Sequence, residues 1–172
     1  MAINSKSSIS QKDILYNNIV SLSRNKIFYT KFNLIDSFQN RIYLIFLHIS
    51  FIFIKIKLDK ENQFYKHFSQ DMFDLIFSKI ELNMREIGYG DMTINKNMKL
   101  LVKNFYNILL EVENYKNKEN EIKYNFLAKY LEWGNSVKNM GIIEYFDKYE
   151  AFCVDLSSDS VLKSELKFNY KY

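Results

Sequence analysis

The chain has 172 residues, of which 48% are hydrophobic, 17% aromatic and 26% charged, and this composition excludes an intrinsically disordered protein. Its net charge of +4, from 24 basic and 20 acidic residues, gives only mild attraction to membrane surfaces or nucleic acid and falls well short of the basic stripes of proteins that bind them. A chain of this length buries roughly 70% of its unfolded surface in one core, so we expect one domain. Because the net charge is small, we expect no binding to DNA.

Residues that break helices are rare, because the chain contains no proline and only four glycines. The first helix is predicted over about 10 to 24. Ser10 and Asp13 begin it as a weak capping box, and Leu15 and Ile19 follow at helical spacing.

The next apolar segment has two interpretations. Residues 51 to 58 alternate and are rich in β-branched side chains, which taken alone is typical of a strand. As a helix over about 37 to 58, the segment would be apolar on almost every side and therefore central and buried. A transmembrane helix is disfavoured, because the uncharged stretch from 42 to 54 would span only about 20 Å.

A long amphipathic helix is predicted over 62 to 87, and Gly88 ends it because glycine readily adopts a left-handed conformation. The following helix, about 94 to 116, separates an apolar face from a face with Lys96 and Lys99.

Two more helices are predicted over about 119 to 133 and 136 to 152, with Gly134 as the C-cap of the first and Ser136 as the N-cap of the second. Their inward positions include Ile122, Trp133 and Met140. The sequence then becomes polar, so residues 156 to 172 are predicted to form a mobile tail.

The stretch from Asp71 to Tyr106 contains the most specific motif of the chain, Met84-Arg85-Glu86-Ile87-Gly88-Tyr89-Gly90-Asp91. Upstream, Asp36-Ser37-Phe38-Gln39-Asn40-Arg41 leads into an apolar run that ends at Leu47-His48. Both segments resemble the signature of the ubiquinol-cytochrome c reductase assembly chaperones. The resemblance extends through further matching positions: Phe77, Ile80, Glu81, Lys96, Lys99, Phe105 and Tyr106.

Two positions depart from that pattern, which usually has a proline where this chain has Ile35 and a glycine where it has Asn40. The resemblance favours the helical interpretation of 37 to 58 and implies an all-α, single-domain bundle of five to six helices. Along the chain it implies an N-terminal helix and lead-in over 1 to 30, a chaperone domain over 31 to 155, and the tail.

What the resemblance implies for function is a chaperone that binds newly made cytochrome b and promotes assembly of the bc1 complex. Further candidate partners are the ribosome, a second assembly factor and the surface of the inner membrane. The candidate client-binding residues are Arg41, His48, Arg85, Tyr89, Asp91, Lys96 and Lys99. The exposed aromatic and methionine side chains Tyr89, Met92 and Met98 would suit an adaptable surface.

Each of these residues also has a purely structural interpretation. A histidine inside an apolar run, such as His48, is most often a hydrogen-bonded core residue. Arg85 with Asp91 could simply lock a turn, and a lysine face is usually just solvated. Two other functions stay open at this point, namely a ribosome- or RNA-associated helical protein and a peripheral membrane protein.

No catalytic motif or nucleotide-binding loop appears, and two histidines with one cysteine do not form a structural zinc set. We therefore expect no enzyme, no cofactor and no metal. The N-terminus lacks the apolar segment of a signal peptide, and the single cysteine fits a reducing compartment, so we expect a cytoplasmic protein with peripheral membrane contact as an option.

Overall fold

In the computed structural model the described residues are 10 to 58, 65 to 134, 139 to 163 and 166 to 170. They form an all-α bundle, as predicted, with a 3₁₀ turn at Tyr115–Asn117. Its helices are α1 (Gln11–Ser23), α2 (Ile27–Thr30), α3 (Phe38–Leu58), α4 (Tyr65–Ile87), α5 (Asp91–Glu113), α6 (Asn120–Ala128), α7 (Gly141–Asp155) and α8 (Ser158–Leu162).

Helix α3 is the centre of the bundle. Every residue from Ile42 to Ile54 is buried, and α1, α4, α5 and α7 all pack against this helix. The β-branched stretch at 51 to 58 is therefore helical, because burial on all sides outweighs its local preference for a strand. Within the described residues, no helix combines the length and the apolar character needed to cross a bilayer.

The predicted start of the chain's first helix is confirmed. The side-chain oxygen of Ser10 accepts a hydrogen bond from the backbone N–H of Asp13, so one free donor of the first turn is satisfied. Leu15 and Ile19 are fully buried against the core.

The start of α3 is joined to the end of the α6 segment by Asn40, which is buried. Its side-chain amide donates to the carbonyls of Ile35 (2.7 Å) and Glu132 (2.8 Å), and its oxygen accepts from the backbone N–H of Glu132 (2.8 Å). An isolated antiparallel bridge between Leu34 and Trp133 extends this contact. All the hydrogen-bonding groups of a buried amide are thus used, as burial requires.

The turn between α4 and α5 has the predicted glycine geometry. Gly88 has φ of +98°, its N–H donates to the carbonyl of Arg85, and the N–H of Tyr89 donates to the carbonyl of Met84. This pair of hydrogen bonds is the Schellman motif, which satisfies the last carbonyls of α4. Gly90 is the N-cap of α5, so only two residues separate Gly88 from the new helix at its first residue, Asp91.

Several predicted boundaries were wrong. Helix α5 begins at Asp91 rather than near 94, because the Schellman turn restarts the helix at once. Helix α6 ends at Ala128 rather than near 133, because the following residues bond to the segment around Asn33, where Gly134 donates to the carbonyl of Asn33.

Two details of the region after α5 also differ from the prediction. Gly134 does not cap a helix, and Ser136 lies outside the described residues. Ile122 and Met140, both predicted to face inward, are exposed. In the tail, α8 contacts α1 and α3, and the ring of Phe168 lies 5.5 Å from the ring of Tyr145, centroid to centroid. Mobility of the tail stays a prediction.

The turn conformation yields a first prediction. Gly88→Ala should lower the free energy of unfolding by about 1 kcal/mol or more, because a Cβ disfavours positive φ. Apart from Gly88 itself and the adjacent backbone, no heavy atom lies within 4 Å of the position that this Cβ would take, so the cost would be conformational rather than steric. Urea denaturation of the two proteins measures the difference.

Gly90→Ala is the matched control, since Gly90 has φ of −73° and equally open surroundings. It should cost clearly less than Gly88→Ala. Equal unfolding midpoints for Gly88→Ala and the wild type would contradict the proposed role of Gly88.

Candidate functional site

The two ends of the α4–α5 turn are held together by Arg85. Its guanidinium donates to Glu81 on α4 (2.8 Å from Nη2) and to Asp91 at the start of α5 (2.6 Å from Nη1). The hydrogen bonds to Glu81 and Asp91 raise the pKa of the Arg85 side chain, and the bond to Glu81 has the larger effect. Asp91 lies in the first turn of α5, where a carboxylate also interacts favourably with the helix dipole. Arg85 and Asp91 therefore brace the turn.

Arg41 lies in the first turn of α3 and forms a bidentate ion pair with Asp36. Nε donates to Oδ1 at 2.8 Å and Nη2 donates to Oδ2 at 2.9 Å. The hydrogen bonds from Arg41 lower the pKa of the Asp36 carboxyl. This pair fixes the direction of the guanidinium at the same end of the bundle as the α4–α5 turn.

Two pockets open at this end, on either side of Phe38 and Ile42. The larger has a volume of about 210 Å³ and lies between α1, α3 and the end of α4, with Arg24, Arg41 and Ile87 in its wall. The smaller has a volume of about 70 Å³ and lies between α3, the turn and α5. Tyr89 and Leu100 line the smaller pocket. Phe38 and Ile42 line both pockets, which lie side by side at the start of α3, and we call the two pockets together the groove.

Apolar side chains are exposed around this groove. Ile87 is 59% exposed, Leu100 52% and Tyr89 42%, although each borders a pocket. Clustered apolar exposure of this kind marks a contact site more often than isolated exposure does. We use the term signature-turn surface for Phe38, Arg41, Ile87, Tyr89 and Leu100.

The structure therefore brings four predicted residues, Arg41, Arg85, Tyr89 and Asp91, to one end of the bundle. Sequence analysis missed Phe38, Ile87 and Leu100 as site residues. Phe38 and Ile87 lie inside the two quoted motifs, and Leu100 directly follows Lys99. Helical geometry could have identified Leu100, because it lies about 120° from the buried stripe of α5.

Lys96 and Lys99 are exposed on the outer face of α5, beyond the pocket walls. Met92 lies on that face too and is 88% exposed. Met98, by contrast, packs against the core, so it does not belong to an adaptable surface. The two lysines are thus available to a partner, and Lys96 lies one helical turn before Leu100 at the edge of the groove.

His48 is not a surface residue, which corrects its place among the client-binding candidates. It is fully buried in the middle of α3. Nδ1 donates to the carbonyl of Leu44 (2.6 Å), and in the neutral ring Nε2 accepts from the hydroxyl of Tyr145 (2.8 Å). Burial lowers the pKa of His48 to about 4, and the backbone hydrogen bond opposes this effect only in part. His48 joins α3 to α7 and cannot touch a client in this structure.

A third pocket, of about 490 Å³, lies far along α3, near the ends of α5 and α7. Cys153 lines it but is itself buried, and burial raises the pKa of its thiol to about 12. None of the predicted site residues is there. Among the residues that the structure describes, no group of three or more histidine, cysteine, aspartate or glutamate side chains is arranged to hold a metal ion.

The buried histidine predicts a specific pH dependence of stability. Above pH 6.5 the imidazole is neutral in both the folded and the unfolded chain. Between pH 6.5 and about 4 the unfolded chain binds a proton that the folded chain does not, so stability falls as the pH falls. This residue alone contributes a slope of up to about 1.4 kcal/mol per pH unit.

Urea denaturation at several pH values, compared between the wild type and His48→Gln, isolates that slope from the contribution of the carboxylates. Tyr145→Phe is the control, because it removes the hydroxyl but keeps the buried imidazole, and its slope should resemble that of the wild type. A slope in His48→Gln as steep as the wild-type slope would contradict the assignment.

Comparisons with known proteins identify a similar fold and a matching family. The fold is similar to the crystal structure of the Cbp3 homolog from Brucella abortus, with a TM-score of 0.78, 20% sequence identity, and coverage of 93% of this chain and 89% of that one. No curated protein sequence matches the chain significantly. The family model described as ubiquinol-cytochrome C chaperone matches residues 30 to 132, which contain both motifs and the whole signature-turn surface. The chain therefore belongs to the ubiquinol-cytochrome c chaperone family.

Proposed function

We propose that this protein binds newly made cytochrome b through the signature-turn surface and holds it for assembly of the bc1 complex. Membership of the chaperone family supports a role in assembly. The observation that carries the choice of surface is the exposed apolar groove around Phe38, which lies between the two motifs.

The composition of this groove fits a segment of a membrane protein at the boundary between lipid and water. Ile87, Tyr89 and Leu100 supply apolar contacts for the lipid-facing side of such a segment. Arg24 and Arg41, at the larger pocket, supply hydrogen-bond donors for carboxylates or for free backbone carbonyls. Binding of this kind excludes water from apolar client surface and needs no catalytic group, so the proposed role is binding without chemistry.

The backbone around the groove is well braced, which favours a preformed contact surface. The Schellman turn fixes Tyr89, the Arg85 ion pairs fix the angle between α4 and α5, and the pair with Asp36 fixes Arg41. A surface that is already ordered loses little conformational entropy on binding. We therefore expect the free and client-bound forms to share this geometry.

Deletion of the gene for this protein should lower the levels of cytochrome b and of the bc1 complex, while other respiratory complexes stay near normal. Spectroscopy of the b-type haems and native gels of the membrane fraction measure both. Re-expression of the wild-type chain is the control. Normal cytochrome b in the deletion strain would refute the proposal.

The surface itself is tested by the triple variant Ile87→Ser, Tyr89→Ser and Leu100→Ser. It should reduce recovery of cytochrome b with the tagged protein by about tenfold or more, because interface hot spots are apolar and aromatic anchors. All three side chains are substantially exposed in the free protein, so the free energy of unfolding should change by at most about 1 kcal/mol.

The matched control replaces three exposed apolar residues elsewhere, Leu58, Ile122 and Val154, by serine. Recovery of cytochrome b should stay close to wild type with that variant. Equal losses in the two triple variants would mean that general surface hydrophobicity, rather than the signature-turn surface, holds the client.

A further inference from the structure

The outer face of α5 is a second surface, distinct from the groove. It consists of six exposed side chains along most of the helix: Met92, Lys96, Lys99, Lys103, Tyr106 and Leu110. All six are exposed, and they extend over about 27 Å of a single helix. We call this set the α5 outer face.

The charge of this face is uncompensated. The carboxylates of α5 are all ion-paired: Asp91 with Arg85, Glu111 with Lys118, and Glu113 with Lys57. Lys96, Lys99 and Lys103 form no ion pair with any described residue. The middle of the face therefore carries three positive charges and no negative one, which favours an anionic partner.

Apolar side chains alternate with these lysines. Met92 and Leu110, near the two ends, are 88% and 67% exposed, and Tyr106 lies between Lys103 and Leu110 along the face. RNA would match the lysines, but it gains little from exposed methionine and leucine side chains. Anionic lipids match both features, because headgroups pair with lysines while apolar side chains enter the layer beneath them.

The shape of the α5 outer face also favours anionic lipids as its partner. A groove accepts a helix or a peptide, whereas the exposed side of one straight surface helix is convex and meets a flat partner along its length. Tyrosine and lysine near a bilayer surface place their polar ends among the headgroups and their apolar parts below them.

We propose that the α5 outer face docks on the surface of a bilayer containing anionic lipids. This inference does not depend on the identity of the client. Because α5 begins at the signature turn, a protein lying on this face holds the signature-turn surface at the membrane boundary, where hydrophobic segments of a membrane protein emerge.

Flotation with vesicles tests the proposal on the purified full chain. We expect the protein to float with vesicles of phosphatidylcholine containing about 30% phosphatidylglycerol, and not with phosphatidylcholine alone. Replacing Lys96, Lys99 and Lys103 by glutamine should weaken this binding by at least about tenfold, since each lysine near a charged surface contributes about fivefold. The matched control, with Lys26, Lys66 and Lys129 replaced by glutamine, changes the net charge equally from other exposed positions and should bind within about twofold of wild type.

A second pair of variants separates lipid from nucleic acid. Met92→Asn with Leu110→Asn should weaken vesicle binding several-fold at unchanged net charge, whereas Ile122→Asn with Val154→Asn should not. Absence of binding to the anionic vesicles would overturn the proposal. So would equal losses in the two lysine triples, or binding to RNA but not to vesicles. A further outcome would instead assign the face to the client. In that outcome the wild type does not bind vesicles, and the variant at Lys96, Lys99 and Lys103 recovers less cytochrome b in detergent.

Discussion

The fold depends on the burial of α3. Its residues from Ile42 to Ile54 are buried without interruption, so this helix has no side that can face water. Burying an aliphatic or aromatic side chain contributes about 1.5 to 3 kcal/mol relative to leaving it exposed, and a helix that is apolar all round must be enclosed by others. The surrounding helices α1, α4, α5 and α7 supply that enclosure. The polar side chains of Asn40 and His48 on α3 are hydrogen-bonded, whereas the hydroxyl of the buried Ser50 has no hydrogen-bond partner among the described residues.

The candidate site is a consequence of this arrangement at one end of the bundle. Helix α3 begins at Phe38, and its first turn is covered incompletely by α1, by the end of α4 and by the start of α5. The short turn at Gly88 brings the ends of α4 and α5 close together, and the ion pairs of Arg85 hold them there. Apolar side chains at the turn therefore remain exposed on a rigid frame. That combination suits a protein that must present a hydrophobic surface without losing its own structure.

Much of the fold could be predicted from the sequence, because helical periodicity, a capping residue and one glycine fix the long helices locally. The start of α1 at Ser10 and the end of α4 at Gly88 are determined by hydrogen bonds between near neighbours. The early end of α6 could not be predicted in this way. It depends on the segment around Asn33, almost one hundred residues earlier, and the periodic pattern contains no information about that contact.

The candidate site also has a part that could be predicted from the sequence and a part that could not. Arg41, Arg85, Tyr89 and Asp91 could be selected from their motifs, but the groove between them needs the relative positions of three helices. His48 lies within the upstream motif and yet is buried, because the motif records residues that build the fold as well as residues on its surface. Exposure is set by packing between elements distant in sequence, so motif position alone does not separate the two groups.

The central claim is that the signature-turn surface touches the client, and crosslinking from a photoreactive amino acid tests it most directly. The probe would replace Tyr89 or, as a control, the exposed Ile122 on α6. In cells that synthesise cytochrome b, the account predicts a crosslinked product containing both proteins from position 89 and none from position 122. Crosslinks from position 122 alone would contradict it.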